Sequence, residues 1–171
     1  FVTRRKLNDT VFPKPGSHRR DQLDFRQTYP DIRSALLAIS VHGRDLVGVE
    51  LGVYSGESFV VMLQICQNIK KLYGIDLWEP YKDRIGGESN PKVVNRYQTE
   101  YLYNLCMNYV AHSGESHRAE IWQMDSVKAA DEFENDSVDF VFFDAHLDQK
   151  QLEDELHAWY PKIREDGLVI G

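Results

Sequence analysis

The chain has little cysteine, no long apolar run and no excess of positive charge, and each shortage closes off a class of function. Its 171 residues include two cysteines, Cys66 and Cys106, in separate helix-like segments. That is too few for a disulfide framework and lacks metal-site spacing; it fits buried thiols in a reducing, cytoplasmic setting. No stretch reaches the roughly 18 unbroken apolar residues of a membrane-spanning helix. No secretory signal pattern opens the chain. The formal net charge of −7 disfavours general binding to nucleic acid. Internal repeats and low-complexity tracts are also missing. What remains is an ordinary globular composition, 42% hydrophobic and 27% charged, long enough to bury a core. The chain opens on Phe1 and closes on Gly171 in an apolar run, so it is expected to be a piece of a longer product.

Residues 1–30 show little periodicity and are punctuated by Pro13, Pro15, Gly16 and Pro30. Residues 1–20 carry six basic side chains against Asp9 alone, a net of +5, which leaves −12 for the rest. The plain reading is a solvated tail; the sharper one is a lid that meets an anionic substrate. Asp31 reads as the N-cap of a short helix, with Ile32, Ala35, Leu36 and Ile39 at helical spacing. Arm and helix form a first unit, residues 1–46.

From residue 47 onward, apolar runs of strand length alternate with helical patterns. Strands are expected at 47–52, 72–77, 119–124, 138–143 and 168–170. Helices are expected at 57–70, 91–111 and 126–134, and again where Leu152, Leu156, Trp159, Tyr160 and Ile163 recur before Pro161 disturbs the pattern. In the helix at 91–111, the stripe of Val94, Tyr97, Tyr101 and Leu105, flanked by Leu102, Cys106 and Tyr109, reads as core. Residues 79–90, with Gly86-Gly87, read as a polar loop. Continuous apolar strands between helices indicate an α/β, Rossmann-like doubly wound sheet, mostly parallel and covered on both faces. Ligands of such sheets bind beyond the carboxyl ends of the strands, near the switch point.

Four of the strands end at or near an acid: Glu50, Asp76, Asp125 and Asp144. Singly, each is an ordinary cap or turn residue. Together on one sheet edge they would surround a ligand rich in hydroxyls, amines or positive charge. Glu50 opens the stretch Glu50-Leu51-Gly52-Val53-Tyr54-Ser55-Gly56-Glu57-Ser58, where Gly52 and Gly56 let backbone pass close to a ligand. Tyr54 stands where the dinucleotide fingerprint needs glycine, and no Gly-Lys-Ser/Thr follows, so neither phosphate cradle is present. A carboxylate beside the turn repels phosphate and attracts a cation.

This ordered set resembles the class I S-adenosylmethionine-dependent methyltransferases. The glycine stretch is similar to their first motif, and Asp76 to the acid that holds the ribose hydroxyls. Asp125-Ser126 resembles the adenine position. Val138-Asp139-Phe140-Val141-Phe142-Phe143-Asp144-Ala145-His146 resembles the fourth strand and its catalytic-side acid. Trp159-Tyr160-Pro161-Lys162-Ile163 before Asp166-Gly167-Leu168-Val169-Ile170-Gly171 looks like the approach to the fifth strand. The pattern is similar to that of small-molecule O-methyltransferases related to the macrocin and catechol enzymes. It covers residues 47–171, read as the methyltransferase domain. The resemblance implies S-adenosylmethionine as cofactor, held by Glu50, Gly52, Tyr54, Ser55, Gly56, Ser58, Asp76, Leu77, Trp78, Asp125, Ser126 and Asp144. It implies a hydroxyl of a small molecule as acceptor, with Asp144 and His146 on the catalytic side.

There are departures. Leu147 occupies the slot where much of that subgroup has histidine. The family's sheet has seven strands ending in an antiparallel hairpin, and this chain stops at the fifth. A divalent metal such as magnesium, if used, would be held by Asp144. His18, His42, His112, His117 and His157 lack metal-like spacing and read as surface or satisfied residues. Two other classes stay open: a nicotinamide-dependent enzyme on a related sheet, against which Tyr54 and Glu50 count, and a non-catalytic binding module.

Overall fold

The apolar runs pair side by side in one sheet. A computed structural model describes residues 2–5, 32–79, 81–83, 92–94, 96–145 and 149–171. In chain order these form β1 (Val2–Arg4), α1 (Ile32–His42), β2 (Leu46–Leu51), α2 (Glu57–Ile65) and β3 (Ile69–Asp76). Next come β4 (Tyr81–Asp83), β5 (Lys92–Val94), α3 (Arg96–His112), β6 (Ala119–Gln123) and α4 (Ser126–Ala129). The last elements are β7 (Val138–Phe143), α5 (Gln149–Trp159) and β8 (Ile163–Ile170). The main sheet has the order β1-β8-β7-β2-β3-β6. All its neighbours are parallel except β1, which runs antiparallel to β8. β4 and β5 form a separate antiparallel pair.

Period-two alternation along the strands divides the interior into two cores. Phe140, Phe142, Leu168 and Ile170 face the core that includes Phe59, Met62 and Leu63 of α2 and Cys106 of α3. Their neighbours Val141, Phe143 and Val169 join Val49, Leu51 and Ile75 in the core shared with Ala129 of α4 and Trp159 of α5. This is why the strands read as unbroken apolar runs: both faces are covered.

Several segments differ from the sequence expectation: β8 already begins at Ile163, expected in the last helix, and runs through Asp166-Gly167, while residues 81–83 of the expected loop form β4. The helix expected over 57–70 ends at Ile65, and the next strand begins at Ile69. The side chain of Arg118 braces the junction between them. It is buried, and it donates to the carbonyls of Leu63 (2.5 Å), Ile69 and Cys66. The helix expected from Pro91 begins instead at Arg96, because residues 92–94 pair with 81–83. Its buried positions include Thr99, Cys106 and Val110, while Tyr101 and Tyr109 are exposed, so the expected aromatic stripe is only partly core. Finally, residues 2–5, read as irregular arm, lie along the sheet edge. Val2 pairs with Ile170 and Arg4 with Leu168. Arg5 ties the strand down through Asp136, the Ile163 carbonyl and the ring of Tyr160. Three residues are too few to show a period; the open edge of β8 makes them a strand. The rest of the expected lid, the Asp31 cap and most of the 79–90 loop fall outside the described residues.

Arg118→Ala is expected to destabilise the protein by about 2–4 kcal/mol, because it removes a buried guanidinium that bonds three carbonyls at the α2–β3 junction and pairs with Glu115. Urea unfolding checks this; a loss within about 0.5 kcal/mol, the ordinary range for surface changes, would contradict the role given to Arg118.

Candidate active site

From β2 the sheet grows to β3 and β6 on one side and to β7 and β8 on the other. The strand order therefore reverses between β2 and β7, and a crevice at their carboxyl ends is the expected ligand site. The Asp144 N–H donates to the Leu51 carbonyl at 2.9 Å, which ties these two ends together. Gly52 has a left-handed φ of +88°, and a Cβ built on it would lie 2.7 Å from the backbone N and Cα of Ala145. A side chain there would force the two strand ends apart.

Glu50 alternates with Val49 and Leu51, so it points to the opposite face, beneath α2. It is fully buried. Ser58, in the first turn of α2, donates its hydroxyl to Oε1. Oε2 has no partner among the described residues. Burial drives the carboxyl well above its ordinary pKa; the Ser58 bond opposes this, while the charges of Asp144 and Asp76 add to it. Such a group is held neutral unless positive charge arrives.

The turn that follows is closed by the Gly56 N–H donating to the Val53 carbonyl at 2.8 Å. Gly56 has φ +85°, and its missing Cβ would sit 2.9 Å from the Cys106 Sγ of α3. Cys106 is buried, and burial, with the charge of Asp76 and of Glu50 once it has ionised at high pH, pushes its thiol up to about 12. It is inert packing under the turn. Ser55 is buried in the same turn.

Asp76 joins this turn to the chain beyond β3. Its Oδ2 accepts the Tyr54 N–H and its Oδ1 the Trp78 N–H, both at 2.9 Å. The Trp78 indole N–H returns to the Tyr54 carbonyl at 2.8 Å. Tyr54 and Trp78 both have positive φ, near +54° and +45°. Trp78 is buried edge-on against Tyr103, whereas the Tyr54 ring and Leu77 are exposed at the crevice edge. Of the pair, Tyr54 alone offers an open aromatic surface. Beside Trp78 lies a cavity of about 330 Å³ lined also by Glu100, Tyr103, Asn104 and Gln123.

Asp125 is the N-cap of α4, with Oδ1 accepting the Lys128 N–H at 2.9 Å. Ser126 donates its hydroxyl to Glu155 of α5. Glu155 was not singled out from the sequence; the available signal was an acid set within the apolar stripe of Leu152, Leu156 and Trp159. Asp144 is exposed at the end of β7. His146 lies outside the described residues, as does Leu147. Glu50, Asp76, Asp125 and Asp144 thus all stand at the carboxyl edge of the sheet. Among the described residues no group of three or more His, Cys, Asp or Glu side chains is arranged to hold a metal ion. No described helix is long and apolar enough to cross a membrane.

A doubly wound sheet with an acid and a glycine turn at its switch point is the architecture of class I S-adenosylmethionine-dependent methyltransferases. The chain belongs to the methyltransferase domain family, whose model matches residues 49–171. Among the solved structures it is similar to are the following three. One is a candidate caffeoyl-CoA O-methyltransferase from Staphylococcus aureus, 15% identical, with TM-score 0.58, over 85% of this chain and 59% of that one. Another is a candidate rRNA methylase from Clostridium thermocellum, 9% identical, with TM-score 0.59, over 84% and 68%. The third is precorrin 8w decarboxylase from Methanobacterium thermoautotrophicum, 14% identical, with TM-score 0.56, over 84% and 62%. At these identities the likeness shows the fold alone. The chain spans about six tenths of the length of the first and third of these proteins. No curated protein sequence matches it. The cofactor that this fold serves is S-adenosylmethionine. The orphaned Oε2 of Glu50 and the acids around it fit that molecule's cationic end.

Glu50→Gln is expected to stabilise the ligand-free protein at neutral pH. With its folded pKa above the ordinary Glu range, Glu50 holds a proton that the unfolded chain releases. Its cost to stability is therefore absent below the ordinary range and grows as pH rises toward the raised value. Urea unfolding of both forms from about pH 4 to about pH 8 should show the gap widening with pH; a constant gap would contradict the burial argument.

Proposed function

We propose that the protein transfers the methyl group of S-adenosylmethionine to a hydroxyl of a small molecule. The observation that carries this reading is Glu50, a fully buried acid with one unpartnered oxygen at the switch point, flanked by two further acids. Glu50 and Asp144 would face the cofactor's positive end. Asp76 would hold the ribose hydroxyls with the acceptor capacity left beyond its two backbone bonds. Asp125 and Ser126 would meet the adenine, and Tyr54 and Leu77 would cover its apolar surfaces. The bound cofactor supplies an electrophilic methyl group on a positively charged sulfur. What the protein adds is chiefly alignment, by fixing both partners against one sheet edge. The acceptor is assigned to the space over Asp144, with His146, two residues on, as the base. The net charge of −7 favours a small acceptor over a nucleic acid.

Asp76→Ala should weaken binding of S-adenosylhomocysteine by about tenfold to a hundredfold, since a charge-assisted contact is lost. Calorimetry reads this directly. A wild type that binds a nicotinamide cofactor instead would end the proposal.

With an accepted substrate, His146→Ala should lower turnover by about a hundredfold to ten-thousandfold while cofactor affinity holds. If Asp144 acts through a metal, chelator should stop wild-type turnover and magnesium should restore it. Full activity in both His146→Ala and Asp144→Asn would move the chemistry elsewhere.

A further inference from the structure

Beside the adenine position lies a buried acid that the proposed chemistry does not use. Glu155 sits on the inner side of α5 and is 1% exposed. Its Oε1 accepts the Ser126 hydroxyl, and its Oε2 has no partner among the described residues. One turn further along α5, the Trp159 indole N–H donates to the Ser126 carbonyl at 2.8 Å. α5 therefore grips the first residue of α4 at both its hydroxyl and its carbonyl. Asp125 caps the same turn.

A hydroxyl needs only an acceptor here, and an amide would supply one without a titrating proton. A buried carboxyl with an open oxygen is tolerated when neutral and resisted when charged. Burial pushes Glu155 up to about 7; the Ser126 bond opposes this and the charge of Asp125 adds to it. The other charged groups of the elements packed on α5 are Lys128, Asp131, Glu132 and Lys162. α5 itself carries Lys150, Glu153, Asp154 and His157.

We propose that Glu155 is a positioning residue for the purine end of the site: its neutral form holds Ser126 and the start of α4 in the binding arrangement, and its ionisation releases them. This rests on the assignment of Asp125 and Ser126 to the adenine. Loss of the proton strengthens the single Ser126 bond but leaves the unpartnered Oε2 charged in the space beside Asp125, and the turn must open to hydrate that oxygen. Affinity for the purine end therefore falls as pH rises through neutrality.

The probe is 5′-methylthioadenosine, which carries purine and ribose without the charged amino acid end. Calorimetry on the full chain should show its affinity falling by about tenfold to thirtyfold between about pH 6 and about pH 8.5, as the competent fraction shrinks. Glu155→Gln keeps the shape and the acceptor but never ionises. It should bind at the higher pH as wild type does at the lower, with no slope between. A second readout needs no variant: in buffers of different ionisation enthalpy, wild type near pH 8 should take up close to one proton per nucleoside bound. The same slope in wild type and Glu155→Gln, or binding without proton uptake, overturns the role of Glu155 and leaves the cofactor assignment standing. A wild type that binds neither 5′-methylthioadenosine nor S-adenosylmethionine at either pH overturns both.

Discussion

A carboxyl buried without a positive partner must either give up its charge or wait for one, and Glu50 is in that position. Its place is dictated by strand geometry. Val49 and Leu51 go to one core, so the residue between them goes to the other face, under α2. There it meets Ser58 and no cation among the described residues. The packing around it is arranged to keep it there: Gly56 lets Cys106 press against the turn, and Gly52 lets the end of β7 close beside β2. The site's electrostatics are thus a consequence of sheet parity and close packing.

The backbone bonds that the acids make do not exhaust their acceptor capacity. Asp76 accepts two backbone N–H groups, and Asp125 caps α4. Each carboxylate is oriented by those bonds and keeps lone pairs for another donor. Two non-glycine residues with positive φ, Tyr54 and Trp78, are joined by the indole bond and by Asp76. A strained turn held from three directions is pre-organised, which lowers the ordering cost of binding.

The edge of the sheet follows a different logic. β8 leaves a row of backbone groups to be satisfied, and residues 2–4 satisfy them. Arg5 supplies the anchor through Asp136 and Tyr160.

The alternation of apolar runs and helices, and the acids at the strand ends, were legible in the sequence because burial on both faces leaves an unmistakable pattern. Asp76, Asp125 and Asp144 stand at the sheet edge where that pattern put them. Helix ends were less legible. α2 ends at a junction where Arg118, some fifty residues away, bonds the Leu63 carbonyl, and α3 starts late because 92–94 have a strand to pair with. The sequence determined which residues could line the edge, since period and polarity are local properties. The tertiary structure alone decided that Trp78 is a buried latch, that Tyr101 is exposed, and that Glu155 reaches Ser126. Each of these depends on which element packs against which, and contacts between distant segments are not written in the spacing of either one.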